Sequence, residues 1–228
     1  MSLVDTWLEI FNLKNPEKGD TFHCFVDGEM TQSIHDEDPE IYAWGMAGYL
    51  TSKKSESGDV HSVWLGIQPK GGWNKWSEYM NREENIKLRS ELLVDSYTPE
   101  EAWNNVSLFL QYLYNSGLSV RFYGDNTTWD FVLGDKSIKQ YVNENPNTFL
   151  TKSGRMINPL NINSMLNAYQ DKRDRKNDKS LIDTACRVHN ITLKNEHTHN
   201  PGDDAAHMAE FYKYACSNMI LQFVDIKQ

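Results

Sequence analysis

Two carboxylates close an apolar run early in the chain, and that junction constrains the fold more than any other stretch. Phe22-His-Cys-Phe-Val26 reads as a strand, and Asp27-Gly-Glu29 follows it directly. Side chains on a strand alternate between faces, so Asp27 and Glu29, two residues apart, project from the same one. Far downstream, Glu196-His-Thr-His199-Asn-Pro-Gly-Asp-Asp204 offers a histidine five positions ahead of an aspartate, at the predicted start of a helix. Strand ends and helix N-termini are where sheets flanked by helices gather ligand groups. A fold that suits this chain therefore brings a strand end and a distant helix N-terminus to one place.

The remaining patterns supply that frame. Segments 41–50 and 61–67 have strand composition, and turn-forming residues fill 53–59 between them, which predicts three antiparallel strands joined by hairpins. Thr98-Pro-Glu-Glu101 marks a helix start: Thr98 caps, Pro99 takes the first helical position and Glu101 completes a capping box. Ala102, Val106, Phe109, Leu110 and Leu113 then share one face, and Gly117 is placed to end the helix. Segment 119–123 is a fourth strand, followed by a helical pattern through Phe131, Leu133 and Ile138. A short fifth strand is expected within 155–160, with helices at 162–169, 180–189 and 203–219. Strands first, then strand and helix in alternation, predict an α/β fold: a mixed sheet flanked by helices.

Composition excludes several classes. A chain of 228 residues buries a full core, and one domain spanning 1–228, with its core at about 20–220, is the simplest expectation. No apolar stretch is long enough for a membrane span, and no basic segment followed by an apolar one opens the chain, so neither a membrane partner nor a secreted route is expected. Cys24, Cys186 and Cys216 form no CxxC pair and read as free thiols of a reducing, cytoplasmic compartment. The net charge of -9 argues against a protein that coats nucleic acid by charge alone. It is compatible with an enzyme acting at one strand end, because carboxylates gathered around metal ions add negative charge that the bound ions offset.

The candidate site rests on Asp27, Glu29, Asp130, Asp204 and His199. Hard oxygen donors favour magnesium or manganese over zinc, and two such ions sharing Asp27 suit the hydrolysis of a phosphodiester bond. His199 has the pKa range of a general base for the attacking water. Asp125 is a rival for the role of Asp130, but it sits directly at the end of the fourth strand without the spacing from Asn126, while His197 reads as a neighbour of His199. The aromatic run at 73–79 suits base stacking or a packed loop, and the basic stretch at 172–179 a phosphate backbone or a solvated loop.

Four stretches together carry a family resemblance. Asp27-Gly-Glu-Met-Thr31, Gly124-Asp-Asn-Thr-Thr-Trp-Asp130-Phe-Val-Leu133, the segment 180–191, and His199-Asn-Pro-Gly-Asp-Asp204-Ala resemble, in order, the motifs of the DEDDh group of 3′-to-5′ exonucleases. The first is most similar to oligoribonuclease. The resemblance implies a ribonuclease H-like fold with a mixed five-stranded sheet. It also implies release of nucleoside 5′-monophosphates from the 3′ end of single-stranded DNA or RNA. By the same resemblance Asp27, Glu29 and Asp204 would hold one magnesium or manganese ion, Asp27 and Asp130 a second, and His199 would be the base. Met30 and Thr31 would lie against the terminal nucleotide, and Asn126 would belong to the substrate contacts. A catalytically silent module that binds nucleic acid or protein on the same fold is the alternative. Such a module has no need of a general base.

Overall fold

The computed structural model describes residues 1–31, 38–52, 58–71, 82–142, 146–152 and 155–218. The expected turn chemistry at 53–57 and the aromatic run at 73–79 lie outside these residues. Ser2 and Asp5 form a capping box that starts α1 (Leu3–Ile10), whose Trp7 and Leu8 are buried. Three strands follow, β1 (Thr21–Met30), β2 (Ile41–Thr51) and β3 (His61–Gly66), then α2 (Glu83–Leu92) and α3 (Pro99–Asn115). Next come β4 (Ser119–Gly124), a π-helical turn at Thr128–Val132 and α4 (Leu133–Tyr141). The short strands β5 (Thr151–Lys152), β6 (Arg155–Met156) and β7 (Leu160–Asn161) lead into α5 (Ile162–Met165) and a 3-10 turn at Asn167–Lys172. The described chain ends with α6 (Leu181–His189) and α7 (Pro201–Ser217).

The main sheet has the order β3-β2-β1-β4-β7. β1 is antiparallel to β2 and parallel to β4, and β7 is parallel to β4, so the sheet is mixed as expected. The residue alternation on β1 divides the core. Phe22, Cys24 and Val26 face one layer with Trp7, Trp103, Val106 and Phe109 of α1 and α3. Phe25 faces the other layer with Ala205, Ala209 and Phe211 of α7. Asp27 and Glu29 share the parity of Phe25, which turns them toward α7.

The helix that the capping box predicts begins as expected: Thr98 Oγ1 accepts from the Glu101 N–H, and Gly117 beyond its end has φ +79°. The expected strand within 155–160 is corrected. Arg155–Met156 pairs with Thr151–Lys152 in a separate ribbon, and the fifth strand of the main sheet is Leu160–Asn161. The helix expected at 162–169 divides into α5 and the 3-10 turn. The last helix starts two residues earlier than expected, because the Asn200 side chain accepts from the Gly202 and Asp203 N–H groups with Pro201 at the first turn.

The basic stretch at 172–179 is not simply a solvated loop, since Asp178 ties it to α6. The Asp178 carboxylate is almost buried, pairs with both Nε and Nη2 of Arg187, and accepts from Thr184 Oγ1 and the Asp174 N–H. The Arg187 hydrogen bonds hold its pKa well below the usual carboxylate range. A depressed folded-state pKa contributes stability that is complete above the unfolded value of about 3.9 and is lost as pH falls toward the folded one. Asp178→Asn should therefore melt several degrees below wild type at pH 7. That gap should narrow in thermal melts taken at successively lower pH below 4.

Candidate active site

The parallel register of β1 and β4, from Thr21↔Ser119 to Phe25↔Tyr123, sets the ends of both strands at the same edge of the sheet. Asp27 and Glu29 continue β1 there, paired with Gly45 and Ala43 of β2, and Asp125 follows the last residue of β4. The Asn126 carbonyl accepts from the N–H groups of Trp129 and Asp130, which winds the π-helical turn and carries Asp130 back under the strand ends. Asp130 is 3% exposed, and its Oδ2 has no hydrogen-bond partner in the protein.

The fourth acid arrives from α7. Gly45 of β2 lets the helix start press directly on the sheet: a Cβ at Gly45 would lie 2.1 Å from the backbone carbonyl of Pro201 and 2.4 Å from the Gly202 nitrogen. Just before the cap, His199 has φ +64°, a left-handed conformation uncommon for a non-glycine residue. The Asp204 side chain accepts from the N–H of Thr198 at 2.7 Å and of His199 at 3.1 Å. One oxygen from each of Asp27, Glu29 and Asp204 lies within 4.8 Å of the others. His199 Nδ1 stands 3.8 Å from Glu29 Oε1.

Like charges packed this closely repel, and the ionisation of the group records it. Asp27 has its pKa raised well above the ordinary value, first by loss of solvent and then by Asp130, Glu29, Asp125 and Asp204. Asp130 is raised by burial and by Asp125, with the amides of Asn126 and Gly28 pulling the other way. Asp204 is raised by burial, against its two backbone hydrogen bonds and His199. The Glu29 carboxylate lifts the His199 pKa, against partial burial. Four oxygen-donor side chains that repel one another, one of them with an orphaned buried oxygen, fit a hard divalent cation better than they fit each other.

The structure thus brings together Asp27, Glu29, Asp204 and His199, with Asp130 directly behind Asp27. Met30, the last residue of β1, and Thr31, just beyond it, are buried. Met30 belongs to the core layer on the opposite face, and Thr31 Oγ1 accepts from the Glu40 N–H. Asn126 acts here through its carbonyl. Two residues gain weight that the motif spacing did not give them. Asp125 reads in sequence as a rival to Asp130, yet it joins the same cluster, and burial with Asp204 and Glu29 raises its pKa although His197 opposes the shift. His197 Nδ1 lies 3.7 Å from Asp204 Oδ2. Asp125 was detectable from its place at the end of a strand parallel to β1, whereas His197 depends on the backbone path before α7.

No family model matches the chain, and no curated protein matches it. Solved structures do. The nuclease domain of 3′hExo, described as a DEDDh family member bound to rAMP, superposes with a TM-score of 0.56 at 14% identity, over 91% of this chain and 97% of that one. Cell-death related nuclease 4 gives 0.53 at 14% identity, over 86% of this chain, which spans 64% of that protein. The RNase domain of the yeast Pop2 protein gives 0.50 at 15% identity, over 95% and 81%. The fold is ribonuclease H-like. The mixed five-stranded sheet and its flanking helices are those that the motif resemblance implied. Among the described residues, no helix is long and apolar enough to cross a membrane.

Proposed function

We propose that this chain is a metal-dependent 3′-to-5′ exonuclease that releases nucleoside 5′-monophosphates from the end of single-stranded DNA or RNA. The observation that carries this reading is convergence. Residues far apart in sequence converge: Asp27, Glu29 and Asp204 have oxygens within 4.8 Å of one another, His199 stands beside Glu29, and Asp130, near enough to raise the Asp27 pKa, has its Oδ2 left without a protein partner. The fold shared with three nucleases supports the same reading.

Asp27, Glu29 and Asp204 would hold one magnesium or manganese ion, and Asp27 with Asp130 a second. Such ions, when bound, neutralise charge on the phosphate and make a water easier to deprotonate. The chain's own residues do the rest. Glu29 faces Nδ1 of His199 and orients the ring, which leaves Nε2 to take the proton of the attacking water. Asp204, fixed by the Thr198 and His199 amides, joins the strand acids to the loop that carries the base. The terminal nucleotide would lie against the backbone beside Met30 and Thr31 and the turn at Asn126.

His199→Ala should slow the chemical step by about two to four orders of magnitude, the usual span for losing a positioned base. His197→Ala is the control and should keep the magnesium-dependent rate. Single-turnover cleavage of a labelled oligonucleotide reads both. A dead His197 variant beside an active His199 variant would mean that the base has been assigned to the wrong imidazole. Loss of all cleavage in chelator, restored by magnesium or manganese, tests the metal requirement in the same assay.

A further inference from the structure

The proposed reaction leaves one imidazole of the site unused. His197 Nδ1 is 3.7 Å from Asp204 Oδ2, and its ring meets that of His199 edge-on with centroids 4.9 Å apart. One donor atom from each of His197, His199 and Asp204 lies within 4.8 Å of the others. The surroundings hold these groups in place. Lys179 Nζ donates to the His197 carbonyl, and the two backbone N–H groups on Asp204 leave lone pairs of its oxygens free. His207 is excluded from the set, because its Nδ1 contacts the Asn195 carbonyl oxygen at 2.8 Å and its Nε2 lies 3.3 Å from Asp183. An open hollow of 340 Å³, lined by His197, Lys179 and Asp183, gives His197 its own approach from solvent.

Two imidazoles and a carboxylate differ in kind from the oxygen donors of Asp27, Glu29 and Asp204. Nitrogen donors suit zinc, cobalt and nickel, whereas magnesium prefers oxygen and gives up its waters reluctantly. Bonds of about 2.0–2.1 Å in tetrahedral geometry put neighbouring donors about 3.3 Å apart. His197 Nδ1 and Asp204 Oδ2, at 3.7 Å, are within a few tenths of an ångström of that spacing.

We propose that His197, His199 and Asp204 form a second metal site, selective for zinc and similar nitrogen-seeking ions, whose occupation switches the enzyme off. The inhibitory half rests on the proposed function, since the ion would occupy the lone pairs of the base and of a carboxylate that the reaction needs. The binding half does not.

Cobalt(II) titrated into metal-free protein reads the site directly, because a nitrogen-containing site of low coordination number gives visible absorbance. Wild type should show the absorbance of one tightly bound cobalt of low coordination number, since cobalt held by the carboxylates and water alone absorbs only weakly, and added zinc should bleach the band. Even a group hydrogen-bonded to a metal ligand is worth about 10- to 100-fold in affinity, so loss of a ligand should weaken cobalt binding at least about tenfold. That loss is expected in both His197→Ala and His197→Gln, the second keeping size and polarity, with circular dichroism confirming that each is folded. In the magnesium cleavage assay, low zinc should inhibit wild type, and His197→Ala should need about tenfold more zinc for the same inhibition, matching its weaker binding. Wild-type cobalt affinity and spectrum in both variants would overturn the site. Cobalt bound through His197 by a chain that cuts nothing would keep the site and remove the proposed function. Magnesium-dependent cutting without cobalt binding at His197 would do the reverse.

Discussion

Asp27→Asn should abolish magnesium-dependent nucleotide release, by several orders of magnitude, without destabilising the protein. Asp27 is the acid that both proposed metal positions share, so no other carboxylate of the site substitutes for it. Its charge is also the one most opposed by its surroundings: burial, Asp130, Glu29, Asp125 and Asp204 all raise its pKa. Replacing it with a neutral side chain of the same size relieves that repulsion, and in chelator the variant should melt at or above the wild-type temperature. Divalent ion then separates the two proteins. A ligand that binds only the folded state stabilises by RT ln(1 + [L]/Kd), so magnesium or manganese should raise the Tm of wild type and leave the variant nearly unchanged. A variant that retains wild-type activity, or wild-type stabilisation by metal, would remove Asp27 from the site.

The second large effect concerns a residue with no functional group. Gly45→Ala should lower stability by about 2–4 kcal/mol, the scale of a severe overpacking change. For a chain of this size that is a fall of about 5–15 °C in Tm. The added methyl would meet the Pro201 carbonyl group at 2.1 Å and the Gly202 nitrogen at 2.4 Å. Those are backbone atoms in the first turn of α7, so relief requires moving the helix start. Asp204 and His199 move with it, and activity should fall further than the loss of folded protein explains. Gly58→Ala is the comparison, because a Cβ there meets only the Leu50 carbonyl oxygen at 3.8 Å. It should behave as wild type in both thermal melts and cleavage assays.

The two glycines also illustrate which parts of this molecule were legible in one dimension. Asp27 and Glu29 were, since a two-residue spacing on a strand fixes a shared face whatever the strand packs against. His199 and Asp204 were, because five residues at a helix start hold them close together. Thr98, Pro99 and Glu101 announced α3 for the same reason: the capping interaction is local. The importance of Gly45 was not legible, because nothing near it in sequence says that Pro201 will rest on it. Asp125 and His197 likewise depend on partners brought from elsewhere, the β1–β4 register for one and the turn at His199 for the other. α1 shows a different failure. Ser2, Asp5, Trp7 and Leu8 carry both a capping box and an apolar face, but the cap uses aspartate where the usual signal is glutamate or glutamine. α2 has few apolar positions, and its packing comes chiefly from Leu88 and Leu92 against Tyr42 and Ala43 of β2. Its polar sequence gave little amphipathic signal to read.

If this site removes nucleotides singly from a 3′ end, a time course on a 5′-labelled single strand will show it. With magnesium present, the label should pass down a ladder of products that shorten one nucleotide at a time. A 3′-phosphorylated strand should be degraded far more slowly, because the extra charge lies where the terminal sugar must fit, and a covalently closed circular strand should survive. Cutting of the circle at the rate of the linear strand would show an endonuclease instead.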